Sequence, residues 1–178
     1  AEAFVPRAFR RPLSDVERQL YIEQQFQAAK TPAQALQRVI LLTLKSPRFL
    51  YRDLDPTLDD PYSTAARLAF VLWDSLPDQT LLDAAAAGKL KTPEELRAQA
   101  ERMSADPRAR TKLREFFLQW LLIDHFGELA KDSKKFPDFD KAVAADLRTS
   151  FALFLDDVLK SPEADFRRLM TSDELYLN

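Results

Sequence analysis

Apolar residues recur along most of the chain at the three- and four-residue spacing of an α-helix. The clearest pattern follows Pro107, where apolar side chains lie at positions i, i+3, i+4, i+7 and i+8: Leu113, Phe116, Phe117, Trp120 and Leu121. A second pattern, with Phe151 and Phe154, covers residues 139–160. This spacing predicts amphipathic helices with a wide apolar face. We expect these aromatic side chains, and Trp73 in an earlier helix, to lie in the core.

Most predicted helices begin at Ser, Thr or Asp, often followed by Pro. Such a residue accepts a hydrogen bond from a free helix N–H, and Pro costs nothing at the first helical position. Ser14 with Glu17 and Thr92 with Glu95 have the spacing of capping boxes. The other predicted starts are Thr31, Asp60, Asp78, Asp106 and Ser161, and the predicted helix ends include Ser46 and Gly88.

These signals predict an all-α fold, an irregular multi-helix bundle of about seven or eight helices. No run of alternating β-branched residues predicts a strand. The first predicted helix, from Ser14 to about residue 30, has a sparse apolar stripe of Val16, Leu20 and Phe26.

A polar, acidic connection over residues 53–60 suggests the domain organisation. We predict an N-terminal segment of two helices over 1–52 and a main helical domain over 61–178. The chain begins at Ala1 without a signal peptide, and its last residues are apolar with no helix stop. We therefore expect a piece of a longer polypeptide, with the main domain truncated at its C-terminus.

Composition narrows the classes of function. The 178 residues include two glycines, no cysteine and one histidine, His125. Few glycines argue against β-sandwiches and mononucleotide-binding α/β folds. The absence of cysteine excludes disulfides and thioether haem attachment, and a single histidine excludes a His-rich zinc site.

Charge and hydropathy narrow the classes of function further. Lys and Arg number 26 against 28 Asp and Glu, which leaves no basic excess for nucleic acid. No apolar run approaches the ~20 residues that a membrane helix needs. We expect no nucleic-acid partner, no membrane insertion and no cofactor in this chain.

Two polar features could carry chemistry, and each has a simpler interpretation that we favour. His125 beside Asp124 could be a general base or an axial ligand, or a helix-end histidine. Residues 53–59 carry oxygen side chains at calcium-loop spacing. However, Leu58 and Thr64 stand where that loop requires Gly and Glu, so a solvated acidic linker fits better.

Two pairs of adjacent carboxylates could in principle supply an acid and a base. Glu94 and Glu95 occupy a first helical turn, where the helix dipole favours anions. Asp156 and Asp157 lie on the polar side of a predicted helix. We interpret both pairs as surface carboxylates.

Several motifs occur in a characteristic order along nearly the whole chain. They are Arg7-Ala-Phe-Arg-Arg-Pro-Leu-Ser14, Ser46-Pro-Arg-Phe-Leu-Tyr-Arg52, Ala66-Arg-Leu-Ala-Phe-Val-Leu-Trp73-Asp-Ser-Leu-Pro-Asp78, Leu81-Leu-Asp with Ala87-Gly-Lys-Leu90, Gln119-Trp120-Leu, Lys135-Phe-Pro-Asp-Phe-Asp140 and Leu175-Tyr-Leu-Asn178. In this order they resemble a planctomycete-type family of bacterial domains of unknown function. Domains of that family commonly lie downstream of c-type cytochrome modules in exported proteins.

The resemblance implies a periplasmic or otherwise exported parent protein. It implies that the partners are other domains of the parent polypeptide or a redox partner protein. Any haem would lie elsewhere in the parent, because this chain has no Cys-x-x-Cys-His site. The resemblance supplies no catalytic residues to assign here.

Two hypotheses of function follow. The first is a non-catalytic helical interaction or scaffold module of an exported, cytochrome-associated protein of unknown function. The alternative is part of an oxidoreductase or polysaccharide-active enzyme whose catalytic parts lie largely outside this chain. A cleft lined by Arg48, Arg52, Asp53 or Asp78 would favour the enzyme, so these four residues form the candidate surface. We assign no catalytic, cofactor-binding or metal-binding residue.

Overall fold

The structure is a computed structural model that describes residues 1–51, 60–123, 125, 131–161, 165–174 and 176. All regular secondary structure in these residues is helical, which confirms the all-α fold. The helices are α1 (Phe4–Phe9), α2 (Asp15–Arg18), a π-helical turn (Gln19–Glu23), α3 (Gln24–Gln27), α4 (Pro32–Lys45), α5 (Pro47–Leu50), α6 (Pro61–Trp73), α7 (Gln79–Ala86), α8 (Pro93–Ser104), α9 (Pro107–Trp120), α10 (Lys141–Lys160) and α11 (Phe166–Thr171).

The predicted helix starts are largely confirmed. The Ser14 and Thr92 capping boxes are both present, with each hydroxyl accepting from the backbone N–H three residues on. Five helices have Pro in their first turn: α4, α5, α6, α8 and α9. Gly88 follows α7 with a φ of +69°, a left-handed conformation that favours glycine.

Three helical elements differ from the prediction. The short helices α1 and α5 were not predicted, because they have too few residues to show a periodic pattern. The last helix begins after Asp165, whose side chain accepts from the Arg167 N–H, and not after Ser161.

The chain forms two compact units, Ala1–Ala105 and Asp106–Asn178. The predicted domain division stays a prediction, because residues 53–59 of its acidic connection lie outside the described residues.

The core of the first unit has two parts. In one, α1 packs on the π-helical turn and α4 through Val5, Phe9, Ile22 and Val39. The Phe9 and Tyr21 rings meet edge to face with centroids 4.8 Å apart. In the other, α6, α7 and α8 bury a second group: Ala65, Ala66, Ala69, Trp73, Leu81, Ala85 and Met103.

The π-helical turn explains why the predicted stripe of the first helix is wrong. Val16, Leu20 and Phe26 are exposed, whereas Ile22 is buried. A π-helical turn accommodates an extra residue, so side chains on either side of it fall out of step with a 3.6-residue period. The core therefore receives Ile22.

Thr43 on α4 supplies a prediction of stability. Its side chain is fully buried, and its hydroxyl oxygen has no hydrogen-bond partner among the described residues. An unpaired buried hydroxyl costs about 1–3 kcal/mol. We expect Thr43→Val, which keeps the shape, to raise the free energy of unfolding by about 1 kcal/mol in urea titrations. Thr43→Ser should lower it, because it keeps the hydroxyl and loses the methyl group. A destabilised valine variant would contradict this account.

In the second unit, α9 packs on α10, and α11 packs on the end of α10. The buried side chains include Phe117, Leu118, Phe154 and Leu155. Arg114 on α9 forms an ion pair with Asp156 on α10. The Tyr176 hydroxyl donates to Asp157 Oδ2 on α10 at 2.8 Å.

The prediction that all the aromatic side chains of α9 lie in the core is wrong. Phe117 is buried, but Phe116 is 54% exposed and Trp120 is 51% exposed. The apolar face of α9 is wide, and α10 covers only one side of it. Trp73, by contrast, is buried as predicted.

Candidate functional site

The side chain of Arg10 joins three helices in the first unit. Arg10 ends α1 in a left-handed conformation, with a φ of +60°, and is only 7% exposed. Its Nη2 donates to the Arg48 carbonyl at 2.6 Å and to the Tyr51 carbonyl at 3.1 Å. Its Cζ lies 5.8 Å from the centroid of the Phe70 ring on α6. The guanidinium group thus satisfies carbonyls at the end of α5 and contacts α6.

Arg11 continues this connection to the start of α6. Its Nη2 lies 2.9 Å from Asp60 Oδ2, and its Cζ lies 5.8 Å from the centroid of the Tyr62 ring. Asp60 is the N-cap of α6 and accepts from the Tyr62 and Ser63 N–H groups. One carboxylate therefore caps α6 and binds Arg11. We call Arg10 and Arg11 the arginine clamp.

Arg48 lies beside the clamp and pairs with Glu17. The Arg48 Nε is 2.8 Å from Glu17 Oε1, which accepts no hydrogen bond within the described residues, so the contact is an ion pair only. The other oxygen, Oε2, accepts from the Ser14 N–H and hydroxyl. Burial raises the pKa of Glu17, but these Ser14 hydrogen bonds, with Arg48 and Arg11, outweigh it and lower the pKa below its usual value.

The lowered pKa of Glu17 predicts a pH dependence with a definite sign. A carboxylate whose pKa is lower in the folded state stabilises the fold above its unfolded pKa, about 4.3, and loses that effect as the pH falls through the folded value. We expect Glu17→Gln to be less stable than wild type at pH 7, by about 1 kcal/mol. The difference should close in acid, in urea titrations between pH 3 and pH 7.

The control is Glu94→Gln, which changes another first-turn carboxylate, on α8. It should lose no more than the helix-dipole interaction, a few tenths of a kcal/mol, because no described contact depends on the Glu94 side chain. A Glu17→Gln deficit that persists unchanged at pH 3 would refute the electrostatic explanation.

Asp78 lies elsewhere in the first unit and has its own structural partners. It is the N-cap of α7, and its Oδ1 accepts from the Leu81 N–H at 2.9 Å. Arg102 on α8 donates to both its oxygens, at 2.7 and 3.1 Å. Arg102 also lies over the ring of Trp73, whose Nε1 donates to the Met103 carbonyl at 2.9 Å. Asp78 therefore helps to hold α6, α7 and α8 together.

The two described members of the candidate surface, Arg48 and Asp78, do not pair with each other. Arg48 pairs with Glu17, and Asp78 pairs with Arg102. Arg52 and Asp53 lie outside the described residues. The candidate surface as a whole stays a prediction.

The two carboxylate pairs have separate structural contacts. Glu95 accepts from the Thr92 and Lys91 N–H groups, and these hydrogen bonds lower its pKa. Asp156 pairs with Arg114. Asp157 accepts from Tyr176 and pairs with Arg168, and the Tyr176 hydrogen bond is the main cause of its lowered pKa.

The remaining candidates are placed as follows. His125 is exposed, and its backbone N–H donates to the Leu122 carbonyl at 3.3 Å. The acidic residues 53–59 of the calcium-loop pattern lie outside the described residues. In the part of the chain that is described, no three acidic or histidine side chains are grouped as metal ligands. No described helix is long and apolar enough to cross a membrane.

Two apolar ridges are exposed, one on α9 and one on α4, and the first includes Phe116 and Trp120, which were predicted to lie in the core. The α9 ridge consists of Leu113, Phe116 and Trp120, and the Phe116 and Trp120 rings stack with centroids 6.1 Å apart and planes 14° apart. The α4 ridge consists of Leu36, Ile40 and Leu44, each about two-fifths exposed. Hydrophobic periodicity indicates that one face of a helix is apolar, but it does not indicate whether another element covers that face.

These features define an all-helical protein in which polar residues of the motif series cap and join helices, with apolar ridges on its surface. Residues 60–178 match PSD4, a family described as protein of unknown function (DUF1592), and residues 1–53 match PSD5, protein of unknown function (DUF1595). The chain belongs to the PSD4 family. No curated protein and no solved structure matches it.

Family membership confirms that this is a domain of unknown function, as the motif series predicted. The planctomycete-type origin, the association with cytochromes and the exported location stay predictions.

Proposed function

We propose that the chain is a non-catalytic helical interaction module of a larger protein. The α9 ridge is the observation that supports this proposal. Its two large rings are each about half exposed, and together with Leu113 they form a continuous apolar strip along the helix. Aromatic side chains are enriched in protein interfaces, and exposed contiguous apolar surface marks sites of association.

The structural roles of the motif residues support the same proposal. Arg10 and Arg11 bind helix ends, and Asp78 caps α7 while pairing with Arg102. Polar side chains with these structural roles stabilise the first unit, which carries the α4 ridge.

We propose neighbouring domains of the parent polypeptide or a redox partner protein as the occupants of these ridges. In this proposal the parent is exported and associated with cytochromes, and any haem belongs to its other domains. The resemblance of the motif series is the support for this context.

Site-specific photo-cross-linking in the native host would test the proposal. A photoreactive phenylalanine analogue at position 116 should cross-link to one defined polypeptide, or to another domain of the parent, in the exported fraction. The control position is Met170 on α11, which is 63% exposed and lies outside the ridge. Equal cross-linking patterns from positions 116 and 170 would sink the proposal.

A further inference from the structure

A lysine ammonium group lies over two phenylalanine rings in the segment that precedes α10. The Lys131 Nζ is 4.8 Å from the centroid of the Phe136 ring and 4.8 Å from the centroid of the Phe139 ring. Both distances are inside the ~6 Å limit for attraction between a cation and an aromatic face. One cation therefore contacts two aromatic faces. We call Phe136 and Phe139 the ring pair.

Local hydrogen bonds hold the backbone of the ring pair. The Phe136 N–H donates to the Asp132 carbonyl at 2.9 Å, and the Phe139 N–H donates to the Phe136 carbonyl at 3.2 Å. The next residue, Asp140, is the N-cap of α10 and accepts from two N–H groups of the first turn of that helix. The two rings are thus attached to a turn that ends at a capped helix of 20 residues.

The Lys131 cation is held by rings and not by a carboxylate. Residues 131–140 include three aspartates, Asp132, Asp138 and Asp140, but Lys131 forms no ion pair with any described residue. A lysine that only covers a ring with its carbon stem extends its ammonium group into water. Here the charged group itself lies over both rings. The ring pair therefore has the geometry of a cation site, and Lys131 supplies the cation.

The site is open to an external cation. Phe136 is 50% exposed, and Lys131 is exposed as well. An exposed cation–π contact is weak, so a better ligand can displace the lysine. A primary ammonium group is compact and strongly hydrated. A trimethylammonium group is larger, has no N–H donor to satisfy, and is the kind of cation that aromatic faces recognise in proteins.

We propose that the ring pair binds the trimethylammonium group of an external ligand, and that Lys131 occupies the site when this ligand is absent. The proposal goes beyond the interaction function and does not depend on the α9 ridge. A free solute such as choline and the headgroup of a choline lipid both carry this group, and the experiment separates the two sources.

Choline and its neutral analogue provide the first test. The analogue is the alcohol in which a carbon atom replaces the choline nitrogen, so the two molecules share a shape and differ in charge. NMR titration of the whole chain would follow the backbone amide signals of residues 131–140. We expect a Kd of roughly millimolar size for choline, about fivefold tighter than for the alcohol. Tighter binding to phosphatidylcholine vesicles than to free choline would assign the site to a lipid headgroup.

Three variants locate the site. Lys131→Gln removes the internal cation and should strengthen choline binding about threefold. Phe136→Leu keeps an apolar side chain, removes one aromatic face and should weaken binding about fivefold or more. The matched control is Lys134→Gln, which makes the same change of charge in the same segment at a lysine that lies over no described ring. Its affinity should stay close to that of wild type, and circular dichroism verifies that each variant is folded.

Three results would overturn the proposal. Equal binding of choline and the neutral alcohol would show a hydrophobic contact and no cation site. Equal effects of Lys131→Gln and Lys134→Gln would show that Lys131 does not occupy the site. The third is the absence of a saturable shift at ~100 mM choline in the Lys131→Gln variant. Cross-linking at position 116 is independent of all three, so the proposed function would stand if this proposal failed.

Discussion

Replacing Trp73 by alanine should lower the free energy of unfolding by about 4 kcal/mol, the usual cost of deleting a large buried aromatic side chain. Trp73 is 4% exposed and lies where α6 meets α8. The change leaves a cavity and removes the donor to the Met103 carbonyl. It also removes the ring beneath Arg102, which holds Asp78 at the start of α7.

The second tryptophan is the natural control for this prediction. Trp120 is about half exposed on the α9 ridge, so Trp120→Ala should cost about 1 kcal/mol or less. Trp73→Phe should fall between the two, because it keeps most of the ring volume and removes only the indole donor to the Met103 carbonyl. Urea unfolding followed by circular dichroism would rank the three variants. Equal losses for Trp73→Ala and Trp120→Ala would show that the α9 ridge is covered in solution.

Replacing Arg10 by alanine should destabilise the first unit by about 3 kcal/mol, since it removes two part-buried hydrogen bonds from a charged donor, each worth about 1.5–3 kcal/mol. The carbonyls of Arg48 and Tyr51 would lose this donor, and α5 would lose its connection to α1. Arg7→Ala changes an exposed arginine on the same helix and should cost less than about 0.5 kcal/mol.

A glycine at position 10 separates the side chain from the backbone. The φ of +60° at Arg10 is costly for alanine and not for glycine, by about 1 kcal/mol. Arg10→Gly should therefore be about 1 kcal/mol more stable than Arg10→Ala and still less stable than wild type. In a Trp120→Phe background, Trp73 fluorescence reports unfolding of the first unit alone. If the Arg10→Ala variant and the wild type had the same urea midpoint of unfolding, the side chain of Arg10 would have no role in stability.

The sequence predicted helix starts better than helix burial, and the reason is local. A cap such as Ser14 or Thr92 acts on N–H groups within three residues, so the motif contains all the partners of the interaction. The burial of Phe116 or Trp120 depends on which distant elements pack on α9. One-dimensional periodicity cannot contain that information.

The arginine clamp shows that the distant partners of polar residues cannot be predicted from the sequence either. Arg10 and Arg11 are adjacent in the first motif of the series, but the motif does not indicate what they bind. In the structure they bind the Arg48 and Tyr51 carbonyls and the Asp60 carboxylate, and these partners lie at least 38 residues away along the chain. The clamp links residues matched by PSD5 to residues matched by PSD4, so the first unit crosses the boundary between the two family matches.

The prolines at the helix starts have a consequence for assembly. Two neighbouring helices can exchange between copies of a protein when the loop between them straightens and the pair fuses into one long helix. Inside such a fused helix, each Pro would clash with the carbonyl four residues earlier and remove a hydrogen bond, at a cost of about 3 kcal/mol or more. Helices α4, α5, α6, α8 and α9 all carry this barrier. Domain swapping by helix fusion is therefore opposed at each of these five junctions.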